Sequence, residues 1–456
     1  KSPSNQAQSS ASKPEAHSRV ASPLPSTPPP FPARAKHPKS AEWPKVEKLL
    51  SEQKREEATA LLLQIRQTAQ QQQNGADWTA ALATEVRLML EGNKYEQAAR
   101  FLREQPWPPD GPSQVTLELY YAHVLTTYLA NYSYEVLTRE KVVSTGVIDL
   151  RTWTQEQIYQ EAQRAHSQLW QRRAELSQLP LDDFAEFLKP GTYPANIRGT
   201  LRDALSYLTV DLLFNSTLWT SQQLEGREQL DLKALLATKE PLPSALNLED
   251  ATVHPLLKMV GVLSDLEAWH KQRGDSEAAL EARLQRLARL SEAFDAKPDQ
   301  ELIRKSLETL LPEYRSWPWW AMGQAQLAQL YQTDPQDLAR AREAAHQGAT
   351  TFPDSLGGKR CVAIRAHIEA PEYQLSAMRI DGLQQRSIQV KYRNLPHLYF
   401  RAYSLNLLAE IAASKDMDAT PDADRVRKLL AKSTPVAQWQ EELPKTPDYQ
   451  QHQAYV

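Results

Sequence analysis

A single cysteine in 456 residues, Cys361, leaves no partner for an intrachain disulfide and no second thiolate for a multi-thiolate metal site. That fits a reducing cytoplasm and equally an envelope protein that folds without disulfides. No stretch approaches the roughly 18 apolar residues a spanning helix needs, and no basic start followed by an apolar run marks a secretory signal. The chain begins with Lys1 rather than Met, so the missing signal carries no weight. Glycine is scarce, 14 residues, which disfavours a mostly-β chain built on tight turns. Neither sign of charge dominates: 53 basic and 56 acidic residues are spread along the sequence for a net charge of −3. That excludes the electrostatic footprint of a nucleic-acid or anionic-membrane binder.

Signatures of catalysis are missing as well. The 10 histidines form no His-Glu-x-x-His or His-x-x-x-His pair, and no Gly-x-Ser-x-Gly elbow occurs. Gly357-Gly358-Lys359 is no phosphate loop, because Pro353 stands where the first glycine belongs and Arg360 replaces the magnesium-holding Ser or Thr. His254, His270 and His367 fall in helical segments as packing or surface residues. Cys361, beside Val362 and Ile364, reads as a small core residue rather than a nucleophile. The sequons at Asn131 and Asn215 lie in apolar helices or their ends and carry no glycosylation reading. No cofactor or metal is expected, and no enzymatic activity.

What is present is mostly helical periodicity. Residues 1–40 are a Ser- and Pro-rich leader, with Pro28-Pro29-Pro30, expected to be disordered for want of apolar area. From Trp43, short amphipathic helices follow one another, with breaks at Asn74-Gly75, Gly92-Asn93 and Pro106-Trp107-Pro108-Pro109. Val115 to Leu137 predicts one longer helix. Trp153-Thr154 with Gln157 and Ile158 is a capping box with a hydrophobic staple, opening a helix to about Leu176. Pro180 to Pro194, with Phe184 and Phe187, is a compact connection. Thr200 and Asp203 open the next helix, whose stripe is Leu201, Leu205, Leu208 and Leu212. Ser221–Leu248 is a polar excursion, and helices resume over 254–270, 276–294 and 299–311. None is long or apolar enough to be stable alone, so stacked antiparallel hairpins are expected.

The pattern culminates at Trp317–Tyr331 and Pro335–Phe352, a helical hairpin with Asp334-Pro335 between its arms. Ala341, Ala345, Gly348 and Pro353 approximate the back half of a tetratricopeptide unit, while Ala328 and Tyr331 sit one residue out of register, so the repeat is degenerate. One more helix, Ser355–Ala370, precedes a change of period. Ile388, Val390 and Tyr392 alternate with polar residues, and Asn394-Leu395-Pro396 leads to Leu398–Leu405, which predicts a β-hairpin with a weaker strand at Tyr373–Ile380. Short helices are expected at 407–413 and 422–432, and a polar extended tail over Leu443–Val456. Strands are thus expected only between 371 and 410. So few cannot close a sandwich, which implies a chain that stops inside a domain.

Phe352-Pro-Asp-Ser-Leu-Gly-Gly-Lys-Arg-Cys361, Ile368-Glu369 and Val390-Lys-Tyr-Arg-Asn-Leu-Pro-His-Leu-Tyr-Phe-Arg-Ala-Tyr403 together resemble the junction in large bacterial alpha-2-macroglobulin-like proteins. The likeness extends to Asp149–Thr154, Ile197–Leu205, Trp439–Pro444 and Asp448-Tyr449, about two thirds of the chain. It implies a mainly α fold: a tetratricopeptide-like helical-hairpin array over 41–370, then an incomplete macroglobulin-type β-sandwich segment over 371–456. The implied role is the non-catalytic N-terminal region of an exported protein, in the periplasm or at the cell surface, that inhibits proteases by trapping them. Cys361 precedes Val-Ala-Ile rather than sitting in the Cys-x-Glu-Gln of a macroglobulin thioester, so it is not that group. A free-standing helical-repeat scaffold binding peptides on a concave face is the other reading. Partners are proteins in either case. The candidate protein-contact residues are the aromatic–proline concentrations at Trp107 and at Trp317, Trp319 and Trp320.

Overall fold

The computed structural model describes residues 40–139, 148–188, 191–237, 246–333, 337–377, 387–413 and 423–456. Nearly all of the leader and the Asp334-Pro335 turn lie outside these residues. The described chain is mainly helical, with a few short antiparallel strands near its end.

Helices α1 (Trp43–Ser51), α2 (Arg55–Gln71), α3 (Gly75–Glu91) and α4 (Tyr95–Glu104) follow one another through three near-identical turns. Each turn places one residue in the left-handed region: Gln53 (φ 60°), Gln73 (φ 53°) and Asn93 (φ 57°). The following amide closes back onto a carbonyl five residues earlier, Lys54 to Leu49 (2.9 Å), Asn74 to Ala69 (2.8 Å) and Lys94 to Met89 (2.8 Å). These are Schellman closures, which satisfy the orphan carbonyls of a helix end. The sequence predicts one helix from Trp43 to Asn74; the structure breaks it at Gln53, because this closure accepts glutamine where glycine or asparagine is the usual signal.

Next come α5 (Gly111–Asn131), α6 (Ser133–Leu137), α7 (Gln155–Gln171) and α8 (Arg173–Leu176). The helix predicted over Val115–Leu137 is therefore two. The capping box at Thr154 is present in full, and a second one at Thr200 opens α9 (Leu201–Phe214). Among its described residues the excursion that follows holds α10 (Ser221–Gly226), α11 (Leu232–Leu236) and short 3-10 turns. Regular helices return as α12 (Pro255–Arg273), α13 (Ser276–Ala293) and α14 (Lys297–Leu310). Gly274, at φ 82°, makes the tight turn from α12 to α13 that a side chain would strain.

The last three helices of the array are α15 (Trp320–Gln332), α16 (Leu338–Thr351) and α17 (Leu356–Glu369), and all three pack against one another. Their axes approach closely because small residues face each other. An ideal Cβ on Gly348 would stand 2.4 Å from Cys361 Sγ, and one on Gly357 would stand 2.1 Å from Met322 N. Two large cores result: one mainly from α3 to α7 around Leu82, Leu102, Tyr121 and Leu125, the other mainly from α9 to α17 around Leu263, Leu287 and Leu307, with α5 and α7 contributing to both. A small third core joins Trp43 and Val46 to Leu62 and Ala81.

Strands β1 (Glu372–Ala377), β2 (Ile388–Arg393), β3 (His397–Ala402), β4 (Ala437–Glu442) and β5 (His452–Tyr455) form two sheets. Between β3 and β4 lie α18 (Leu407–Ala413) and α19 (Ala423–Lys432). The expected hairpin is overturned. β2 pairs with β1 and β5, whereas β3 pairs with β4, so residues 394–396 carry the chain from one sheet to the other. The physical reason is that Asn394 is occupied elsewhere. Its amide nitrogen Nδ2 donates to the Ile368 and Ala370 carbonyls at 2.7 and 3.1 Å, and its backbone N–H donates to Thr446 Oγ1 at 2.9 Å. Strands also reach past 410: β4 precedes the tail expected to be merely extended, and β5 lies within it. The core here is small: Val390, Tyr392 and Leu443.

Candidate functional site

Three helices present one mixed apolar face to a shared trough. On α3 the face is Ala83, Arg87 and Leu90; on α5 it is Leu119, His123 and Thr126; on α9 it is Leu208 and Leu212, continued by the capping Asn215. Each set recurs at three- and four-residue spacing, so each lies on a single side of its helix. The cavity between these three helices is about 580 Å³, and two more, of about 200 and 530 Å³, share Arg87 with it and run between α3 and α1, the larger of the two reaching the start of α2. The largest is mostly apolar and is bordered by Leu90, Leu119, Leu208, Leu212 and Leu218, with Arg87, Tyr120, His123, His166 and Asp211 among its polar groups. An apolar concavity with a few convergent polar groups is the usual form of a ligand site.

The polar groups differ in readiness. Asp211 is held by Arg289 at 2.7 Å. Tyr120 donates from its hydroxyl to the Phe187 carbonyl at 3.3 Å, and burial pushes that hydroxyl's pKa up. Among the described residues Arg87 is exposed and has no ion-pair partner. His166 is buried, its Nδ1 lies 2.9 Å from Thr209 Oγ1, and burial lowers its pKa from 6.5 to about 4.

That shift makes a prediction. The folded state binds a proton on His166 less readily than the unfolded chain does, so its contribution is fully present above pH 6.5 and is lost as pH falls toward about 4. The loss tends to about 3 kcal/mol at most, from 1.36 kcal/mol per unit. Chemical denaturation between pH 7 and 4 is expected to show a shallower acid decline for His166→Gln than for the parent chain; parallel curves would contradict this.

The aromatic candidates from the sequence lie elsewhere and are not brought together. Trp107 is half-buried, donates from Nε1 to the Leu102 carbonyl at 2.6 Å and packs on the core that α5 and α7 share. Trp319 and Trp320, 3% and 4% exposed, belong to the other core. Trp319 donates from its backbone N–H to Glu277 and from Nε1 to Glu281, both at 2.8 Å. Trp320 meets Phe352 edge-on at 6.4 Å. Trp319 and Trp320 thus pack in the interior, and Trp317, 41% exposed, is the one of the three on the surface.

Sequence reasoning missed the trough. The available signal was Leu208: at the centre of a leucine stripe it reads as buried, yet it is 40% exposed, because the stripe of α9 is shared between the core and the trough wall. Cys361 is fully buried, with Sγ facing the Ala321 carbonyl at 3.3 Å and its pKa pushed up by burial to about 12. His270, also buried, lies with Nε2 2.8 Å from Asp203 Oδ1 and ties α12 to α9. Among the described residues no three His, Cys, Asp or Glu side chains converge as a metal site requires, and no helix is long and apolar enough to cross a membrane. No protein-family model, no curated protein and no solved structure matches the chain, so the geometry of the trough is what a functional reading has to rest on.

Proposed function

We propose that the chain is a non-catalytic protein-binding scaffold whose helical array receives a segment of a partner protein in the trough of α3, α5 and α9. The carrying observation is the leucine-walled cavity between these helices, with Arg87, which has no ion-pair partner among the described residues, where it adjoins the two others. A partner side chain gains by burying apolar area there, at about 25 cal/mol per Å² before the costs of association. Panning random dodecapeptides against the chain tests this. Enriched peptides are expected to bind Leu208→Asp at least tenfold more weakly, since a carboxylate there puts charge into the apolar wall. Equal binding to both proteins would place the contact elsewhere.

The array is read as tetratricopeptide-like on the mutual packing of α15, α16 and α17 around Gly348 and Gly357. In the larger context we read it as the N-terminal region of a bacterial alpha-2-macroglobulin-like protein acting in protease trapping at the cell envelope. Support comes from the resemblance of Phe352–Cys361 and Val390–Tyr403, and from α17 passing into β1 across two residues, Ala370 and Pro371. Exposed apolar side chains on the strands, Tyr373, Leu375, Tyr399 and Trp439, fit a partial sandwich that further strands would cover. On this reading the chain alone neither hydrolyses nor traps a protease. Mixed with a broad-specificity protease, it is expected to spare neither a small chromogenic substrate nor a large protein substrate. Selective protection of the large one, or an adduct that survives denaturing electrophoresis, would contradict it.

A further inference from the structure

The trough already holds one segment, and that segment belongs to the chain itself. Between α8 and α9 the backbone is pinched where Pro180 bridges Thr200, with Leu181 N–H donating to the Gly199 carbonyl and Leu201 N–H to the Leu179 carbonyl, each at 2.9 Å. The stretch Leu181-Asp-Asp-Phe-Ala-Glu-Phe-Leu188 leaves this pinch and crosses the trough. A 3-10 turn (Leu181–Phe184) and bonds from the Phe187 and Leu188 amides to the Phe184 carbonyl, both 2.8 Å, give it one helical turn. Phe184, Phe187 and Leu188 then project at i, i+3 and i+4, the spacing of an amphipathic anchor set.

Each anchor has its place. Phe184 is buried in the larger core, while Phe187 packs on the Trp43 cluster and borders the two cavities on either side of it. Leu188 lines the largest cavity. Asp182, Asp183 and Glu186 are exposed, and Glu186 lines the same cavity as Arg87. Around them the trough stays open, with about 580 Å³ on the Leu188 side and about 200 Å³ between α1 and α3.

Resting on the scaffold reading above, we infer that residues 181–188 are an internal ligand of the trough, and that the partner it receives is an acidic segment carrying the same aromatic-x-x-aromatic-aliphatic pattern. Such a segment takes the places of Phe187 and Leu188, its two large side chains spreading into the cavities on either side and its carboxylates lying against Arg87. The competition makes the free chain a weak binder and an opened chain a strong one, since a site occupied in cis is available only for the fraction of time the strap is off.

The test is fluorescence anisotropy with a labelled peptide of residues 180–188, titrated with the full parent chain and with Phe187→Ala/Leu188→Ala. The opened variant is expected to bind at least tenfold more tightly than the parent. Adding Arg87→Glu is expected to remove most of that binding, and a scrambled peptide is expected not to bind. Far-ultraviolet circular dichroism checks that each variant keeps its helices; should the double variant unfold, Tyr120→Phe, which removes only the hydroxyl bond to the Phe187 carbonyl, replaces it with a smaller gain expected. Equal binding to parent and opened chain, or none to a folded opened chain, would overturn the inference. If panned peptides lacking the acidic aromatic pattern still lose binding with Leu208→Asp, the scaffold reading survives while this one fails.

Discussion

Gly357→Ala is expected to cost about 3 kcal/mol of stability or more, beyond the usual range for one added methyl in a core. The new Cβ would stand 2.1 Å from Met322 N and 2.5 Å from Ala321 C, which are backbone atoms of α15 that cannot step aside as a side chain does. Helix α17 must then lift from α15, opening the packing around Cys361, Ala321 and Gly348 that holds the three helices together. Thermal unfolding followed by circular dichroism reads the effect. Gly92→Ala is the control, because its Cβ would find nothing nearer than 3.5 Å and its φ is negative. A midpoint for Gly357→Ala equal to that of Gly92→Ala would refute the close helix approach.

A second large loss is expected on removing either member of the Arg198–Glu281 pair. Arg198 donates to Glu281 at 2.5 Å and lies between the rings of Tyr193 and Tyr207, 3.7 Å from each centroid. Glu281, whose side chain is 1% exposed, also accepts from Trp319 Nε1. Arg198→Ala would leave that carboxylate buried without its cation, a change that costs about 3–5 kcal/mol. The coupling is testable: Arg198→Met with Glu281→Gln should lose less than the sum of the two single changes. Additive losses, or single losses below about 1 kcal/mol, would show the pair to be incidental. The pair matters to the account because it fastens residues 193–198, just beyond the strap, to α13 and to the turn before α15.

How much of this was legible in the sequence varies with the range of the interaction. Capping boxes at Thr154 and Thr200 were readable because donor, acceptor and spacing all lie within four residues. The break at Gln53 was not, since a Schellman closure is a backbone bond that leaves no mark when glutamine fills the left-handed position. Pairing of β2 with β5 was hidden for a related reason: a hairpin is the local guess, while the choice made here depends on Asn394 bonding to residues 368, 370 and 446. Aromatic–proline clusters marked Trp319 and Trp320 as residues of consequence without revealing which way they face. The trough escaped because its walls are the backs of three ordinary amphipathic helices, and only their packing makes those backs converge. Phe184 and Phe187 were visible as the apolar residues of a connection, but their role as anchors across α3 and α5 needed the fold.

Binding of a partner segment in the trough, as proposed, is tested most directly by nuclear magnetic resonance of the chain with a panned peptide. On titration, the ring of His123 and the methyl groups of Leu90, Leu208 and Leu212 are expected to shift together along one binding curve, while the rings of His346 and His452, which do not line the trough, stay in place. Shifts confined to Trp317 or to the strands, with His123 and Leu208 unmoved, would contradict it.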